Sequence, residues 1–313
     1  SNLGSSVTIP FFWAKDLDSD FTITPKIYSN ENPLFFVEYR KAFENSSLVV
    51  DAGYTEGYKD IFGNRTAGSR THFFSKFVRT KDNNNFFSNL EVDIQKSSND
   101  TYLKVHDVNN ILAKEEQEIL ENRFEYFYGS EDLNFGLTFL MSEDLNKKDN
   151  LRYEYLLPSL TLDKNLLTDN KIGIIDWVSN VQVRNFDVNN QTEFFVNDIN
   201  WSSYSKKTKF GANNLLKAQV KTTSYNADVE ADKSYKGTGG QNEVSASLGY
   251  LASLPLIKSS ANYTSRLTPK FLLKYAPGHM RDIRSTDGYR LTYDRIFDIN
   301  KSGVWDVIDT GLG

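Results

Sequence analysis

Leu133-Asn134-Phe135-Gly136-Leu137-Thr138-Phe139 decides the fold, because large apolar side chains stand at every second position with small or polar residues between them. A period of 2 belongs to an extended strand whose two faces meet different surroundings. The same rhythm returns in Leu90, Val92 and Ile94, in Phe124, Tyr126 and Tyr128, and in Val244, Ala246, Leu248 and Tyr250. It appears again in Phe21–Ile27, Phe35–Tyr39, Leu216–Val220 and Phe271–Tyr275. Asn, Asp and Gly clusters separate these runs, at 29–33, 81–85, 146–150, 188–190 and 237–240. Strands of this length joined by such turns predict an antiparallel meander of roughly 12 to 15 strands.

The apolar residues are of an unusual kind. Hydrophobic residues make up only 39% of 313, yet aromatics reach 14%, with 22 Phe and 17 Tyr against 2 Met. A soluble core draws mainly on aliphatic side chains, whereas a membrane β-barrel sets one aromatic-rich face against lipid and the other against water. No run approaches the ~18 apolar residues of a membrane helix. The expected class is therefore all-β: the antiparallel meander of a large transmembrane β-barrel, present as a partial barrel or a curved open sheet. Soluble β-sheets alternate too, so a soluble β-rich binding protein is the rival reading on pattern alone.

One rhythm runs from residue 1 to 313, predicting a single β-region with its long loops at 55–69 and 226–242. The segment Ile111–Leu120 is the one helical candidate, either a loop helix or the lead-in to a strand. The opening Ser1-Asn2-Leu3-Gly4 carries no leader and is read as the start of an internal fragment.

Several functional classes find no support. Absence of Cys removes disulfides, thiolate metal sites and cysteine nucleophiles. A net charge of -5 argues against nucleic acid as a partner. His72, His106 and His279 are far apart and form no metal or triad motif, so each reads as a surface or lumen residue. Gly237-Thr238-Gly239-Gly240 lacks the Lys and Ser/Thr of a phosphate loop. No enzyme and no cofactor is expected.

Three consecutive segments near the start are more specific. Ile9-Pro10-Phe11-Phe12-Trp13, Asp20-Phe21-Thr22-Ile23-Thr24-Pro25 and Pro33-Leu34-Phe35-Phe36-Val37-Glu38-Tyr39-Arg40 resemble the opening barrel strands of the LptD family of lipopolysaccharide-assembly proteins, also called organic solvent tolerance proteins. Leu267-Thr268-Pro269-Lys270-Phe271 through Met280 resembles a mid-barrel strand of that family, as do Asp298-Ile299-Asn300 and the Gly311-Leu312 segment. The resemblance implies about the first half of a barrel of roughly 26 strands, without the jelly-roll domain before it or the closing strands after it. It implies a bacterial outer-membrane translocon that inserts lipopolysaccharide into the outer leaflet through a lateral opening. Its implied partners are a plug lipoprotein, a periplasmic bridge protein for lipopolysaccharide, and outer-membrane lipid. A passive porin-like barrel is the alternative.

Two groups of residues follow as candidates. Proline donates no backbone hydrogen bond, so Pro10 and Pro25 either start or kink strands or, as the resemblance implies, keep lateral-gate strands loosely paired. Thr22, Thr24 and Lys26 share one face of their strand, as do Glu38 and Arg40, opposite Phe21, Ile23, Phe35, Val37 and Tyr39. They are expected to face the lumen, where a cation could meet a lipid phosphate.

Overall fold

A computed structural model describes residues 3–58, 68–186, 190–227, 241–261 and 263–277, with Ile296, Phe297 and Ile299. Almost every element is a strand. In chain order these are β1 (Ser6–Thr8), β2 (Phe11–Ala14), β3 (Ser19–Tyr28), β4 (Leu34–Phe43), β5 (Ser46–Thr55), β6 (Arg70–Asp82) and β7 (Phe86–Ser97). A single-turn helix, α1 (Tyr102–Val105), comes before β8 (Ile119–Ser130), β9 (Leu133–Asp144), β10 (Tyr153–Asp169), β11 (Gly173–Phe186) and β12 (Asn190–Ser202). The last are β13 (Lys206–Lys207), β14 (Asn213–Ala227), β15 (Gln241–Ser253), β16 (Leu256–Ser259), β17 (Thr264–Leu267) and β18 (Lys270–Tyr275).

The sheet has 16 strands and its hydrogen-bonded order follows the chain from β1/β2 through β15, ending on β18, while β16 and β17 form a separate hairpin. Every pair with a defined register is antiparallel, such as Ser19↔Lys41 to Lys26↔Leu34 between β3 and β4. The strand pieces outnumber the expected 12 to 15 because Pro10 divides what would be one strand into β1 and β2, and because β13, β16 and β17 are only 2 to 4 residues long. The loop candidates at 55–69 and 226–242 lie largely outside the described residues, as do His279 and the Gly237 cluster.

Two compact units divide the chain: one comprises Ser1–Glu131, Phe135–Ser159 and Val183–Asn190, the other Asp132–Asn134, Leu160–Gln182 and Gln191–Gly313. In the first unit the even residues of β3 and β4 (Thr22, Thr24, Lys26, Leu34, Phe36, Glu38) share a face with Asp51, Gly53 and Thr55 of β5 and His72 and Phe74 of β6. The opposite face carries Ile23, Ile27, Phe35, Val37, Tyr54 and Phe73, all exposed. At the end where the turns 15–18, 44–45 and 83–85 are short, that apolar face bears aromatic ladders. Trp13 stacks on Phe21 (5.9 Å) and Phe21 on Tyr39 (4.5 Å), and Phe86 stacks on Tyr128 (5.5 Å). The other end has the longer connections, among them 98–118.

The second unit shows the same inversion in purer form. Its buried side chains include Gln219, Lys221, Thr223 and Ser247, at 3 to 4% exposure. Its exposed ones include Ile199, Leu216, Val220, Val244 and Leu248. The register sets Val220 beside Ala246 and Ile199, so the apolar side is continuous over β12, β14 and β15. A soluble protein buries the apolar face and wets the polar one. Here the assignment is reversed.

Candidate functional site: an edge with two prolines and a strapped polar face

β1 and β2 pair with β3 alone among the described residues, in a register that runs unbroken across the gap between them. That register sets Ile9 opposite Pro25 and Pro10 opposite Thr24. The Ile9 amide donates to the Pro25 carbonyl at 3.1 Å and the Ser29 amide to the Ser5 carbonyl at 2.9 Å, whereas on the β4 side the Ala42 amide donates to the Asp18 carbonyl at 2.8 Å. Odd residues of β3 thus bond toward the edge and even residues toward β4. Pro25 therefore removes a donor from the ladder to β1/β2 and costs the β4 ladder nothing. Pro10 has the other parity, so its missing N–H lies on the outer edge, where another strand would pair. Both prolines weaken pairing at one edge, and Phe11, Phe12 and Trp13 are exposed there on both faces.

The polar face of the first unit is covered at one end by the connection 98–118, a strap between β7 and β8. Its Tyr102, Leu103, His106, Val108 and Ala113 are buried, packed with Leu34, Phe74, Leu120 and Leu145. Polar bonds dock it as well. Lys26 Nζ donates to the His106 carbonyl at 2.7 Å, and the Tyr28 hydroxyl lies 3.0 Å from His106 Nδ1. His72 bridges Tyr102, 3.1 Å from its hydroxyl, and Asp51, with which it makes a close contact. Gly53 makes room for this group: a Cβ there would lie 2.6 Å from both the His72 ring and the Tyr102 hydroxyl. Burial raises the Tyr102 phenol well above its ordinary pKa, and burial aided by Lys26 lowers His106 to about 4.

An ion cluster pins the strap's first residues. Arg152 donates to Asp100 at 2.7 Å and to Glu143 at 2.6 Å, and Lys96 reaches Glu143 at 3.1 Å. Glu143 is 1% exposed. Arg152 holds Asp100 below the usual carboxylate range.

Of the two readings of 111–120, loop helix or strand lead-in, the structure shows the lead-in, with β8 starting at Ile119. The Asn110 carboxamide accepts the Leu112 and Ala113 amides at 2.9 and 2.7 Å, making a side-chain turn in place of a helical one. The carboxylates of Glu115, Glu116 and Glu118 would crowd a helix there. The helix in the strap is α1, which starts nine residues before Ile111.

Of the residues singled out by sequence, Thr22, Thr24, Lys26 and Glu38 border one cavity of about 220 Å³, closed over by Asp107–Asn110 of the strap. Arg40 lies on the same face but turns to Asp20 at 2.9 Å and Glu38 at 3.4 Å. Pro10 and Pro25 lie together at the edge. Sequence reading, which took His72 and His106 as surface or lumen residues far apart, missed Asp51, Tyr102 and the burial of both rings: His72 lies on the polar face, and Tyr102 touches both, at 5.4 and 5.0 Å. The available signal was the apolar pair Tyr102-Leu103 inside a polar loop.

The fold and this site define a class: an open antiparallel β-sheet with buried polar side chains on one face, exposed apolar side chains on the other and an edge that carries two prolines. Neither a protein-family model nor a curated protein matches the chain.

Proposed function

We propose that this chain forms wall strands of a bacterial outer-membrane barrel that inserts lipopolysaccharide into the outer leaflet, the polar face lining the conduit and the proline edge forming its lateral exit. The observation that carries the reading is the inversion of the two faces: Gln219, Lys221 and Ser247 buried, Val220, Val244 and Leu248 exposed. Charge at the bilayer midplane costs about 2–4 kcal/mol, so a sheet of this kind in lipid keeps Lys221 and Asp198 on its inner side, where they pair at 3.5 Å. Aromatic ladders at the short-turn end suit the girdle at a membrane interface.

The amphiphilic cargo follows from the edge together with the resemblance to the LptD family. A lipid with a large polar head needs a polar conduit for the head and a slit in the wall for the chains. Pro10 and Pro25 remove two donors where such a slit would open. The partners on this reading are a plug lipoprotein, a periplasmic bridge protein delivering lipopolysaccharide, and outer-membrane lipid. The role is non-enzymatic transport without a cofactor.

The test is export. Pro10→Ala together with Pro25→Ala, in the complete protein, restores both donors and is expected to slow arrival of lipopolysaccharide at the cell surface. Export at the normal rate, or conductance of small solutes with no lipid export at all, would overturn the reading.

A further inference from the structure

The cavity beneath the strap has a lining whose chemistry selects among ligands. Three hydroxyls line it, those of Thr8, Thr22 and Thr24, and the strap adds Asn109 and Asn110. Glu38 and Asp51 supply carboxylate acceptors, and Phe36 is the large apolar side chain contributed by the strands. The register places these residues close together: Thr22 faces Glu38 and Glu38 faces Asp51, while Thr24 faces Phe36 on the next rung.

An anion finds little to hold it here. Lys26, the cation of the lining, is committed to the His106 carbonyl at 2.7 Å and Asp107 at 3.5 Å. Arg40, the other cation on this face, is held by Asp20 and Glu38. Three carboxylates, those of Glu38, Asp51 and Asp107, line the cavity beside one ammonium, and their own contacts are to Arg40, His72 and Lys26. A phosphate here would meet more carboxylates than cations.

A neutral polyhydroxylated ring fits better. Its hydroxyls donate to carboxylates and exchange bonds with threonines and carboxamides, and its C–H face packs on an aromatic ring such as Phe36. At 220 Å³ the cavity is smaller than the ~300–1,000 Å³ of sites for drug-sized ligands, which suits a single sugar unit. A polar cavity of this kind holds ordered water when no ligand is present, and sugar hydroxyls can take over water's bonds.

We infer that the cavity bounded by Thr22, Thr24, Phe36 and Glu38 and roofed by Asn109 and Asn110 is a binding site for one neutral sugar unit. The inference rests on the conduit reading and deepens it: the polar wall holds the saccharide part of a glycolipid beside the proline edge, because Thr24 stands opposite Pro10.

The experiment uses the complete protein in detergent micelles, with methyl glucoside and inorganic phosphate as separate probes. Ligand-observed saturation-transfer NMR reads the glucoside, and phosphorus line broadening reads the phosphate. The glucoside is expected to receive saturation, with affinity falling about thirtyfold in T22V/T24V, which loses two hydrogen bonds of ~1 kcal/mol each at constant shape. T22S/T24S keeps the hydroxyls and is expected to bind as the parent does. A glucoside signal unchanged in T22V/T24V, no signal in protein that retains its folded gel mobility, or phosphate broadened in place of glucoside would each overturn the site. Insertion into vesicles is scored on the same preparations. Loss of sugar binding with insertion intact refutes the site alone, whereas a protein that stays in water without detergent refutes the conduit reading.

Discussion

The Tyr28 hydroxyl meets His106 Nδ1 at 3.0 Å, joining the last residue of β3 to a strap residue with no solvent exposure. The Tyr58 hydroxyl reaches the other ring nitrogen at 3.5 Å, and Lys26, Arg70, Glu31 and Asp107 are the charges that act on the ring. Burial first, then Lys26, hold His106 down at about 4. A group whose pKa falls on folding lends stability that is complete above its unfolded value and is lost as pH falls. Docking of the strap is therefore expected to hold above ~6.5 and to weaken steadily from there through about 4, by on the order of 3 kcal/mol in all. Limited proteolysis of 98–118 across this range checks it, and His106→Gln should flatten the profile.

Gly53 tests the packing of the same group. Adding a methyl there drives it into His72 and the Tyr102 hydroxyl, at 2.6 Å to each. Gly53→Ala should cost about 1–3 kcal/mol and free the strap. Gly53→Val should cost more, because the added branches have nowhere to go. The reading is the thermal shift of the folded form, with Gly68→Ala, where a Cβ meets nothing within 4 Å, as the control.

Arg152 is the third lever. Removing it leaves Glu143, 1% exposed, to Lys96 and the Tyr153 hydroxyl. Breaking a buried pair on one side typically costs about 3–5 kcal/mol, while replacing both partners by apolar groups of similar size is far milder. Arg152→Ala is thus expected to be worse than Arg152→Met combined with Glu143→Leu. Equal losses in denaturation of the two variants would contradict this.

At the edge, Pro25→Ala supplies an N–H aimed at the Ile9 carbonyl. Amide exchange along β1, β2 and β3 should slow in that variant, while exchange along β4 stays as it was, because the parity of Pro25 points away from β4. Slowing confined to β4 would show that the hydrogen-bond parity is the reverse.

Much of the sheet was legible. Leu133–Phe139 lies in β9, Leu90–Ile94 in β7, Phe124–Tyr128 in β8 and Val244–Tyr250 in β15, because a period of 2 reports directly on which face each side chain takes. The shared face of Thr22, Thr24, Lys26, Glu38 and Arg40 was legible for the same reason. What strand periodicity does not encode is a loop folding back over the sheet. Tyr102 and His106 are brought to Asp51 and His72 by register over β3 to β6 and by the return of 98–118, so their sequence spacing carries no trace of the cluster. Lys26 and Arg40 looked available for an anion because their partners, the His106 carbonyl and Asp20, come from neighbouring segments.

Site-directed spin labelling tests the central claim most directly, because these 313 residues contain no Cys to compete for the label and any Cys elsewhere in the protein can be replaced by Ser beforehand. Single cysteines at Val37 and Val220 report on the apolar face, and at Thr22 and Gln219 on the polar one, in the complete protein reconstituted into vesicles. Positions 37 and 220 are expected to favour collisions with oxygen dissolved in the bilayer, and positions 22 and 219 to favour a water-soluble nickel chelate over oxygen. The opposite preference, equal preferences at all four positions, or protein that remains in the aqueous phase would contradict the account.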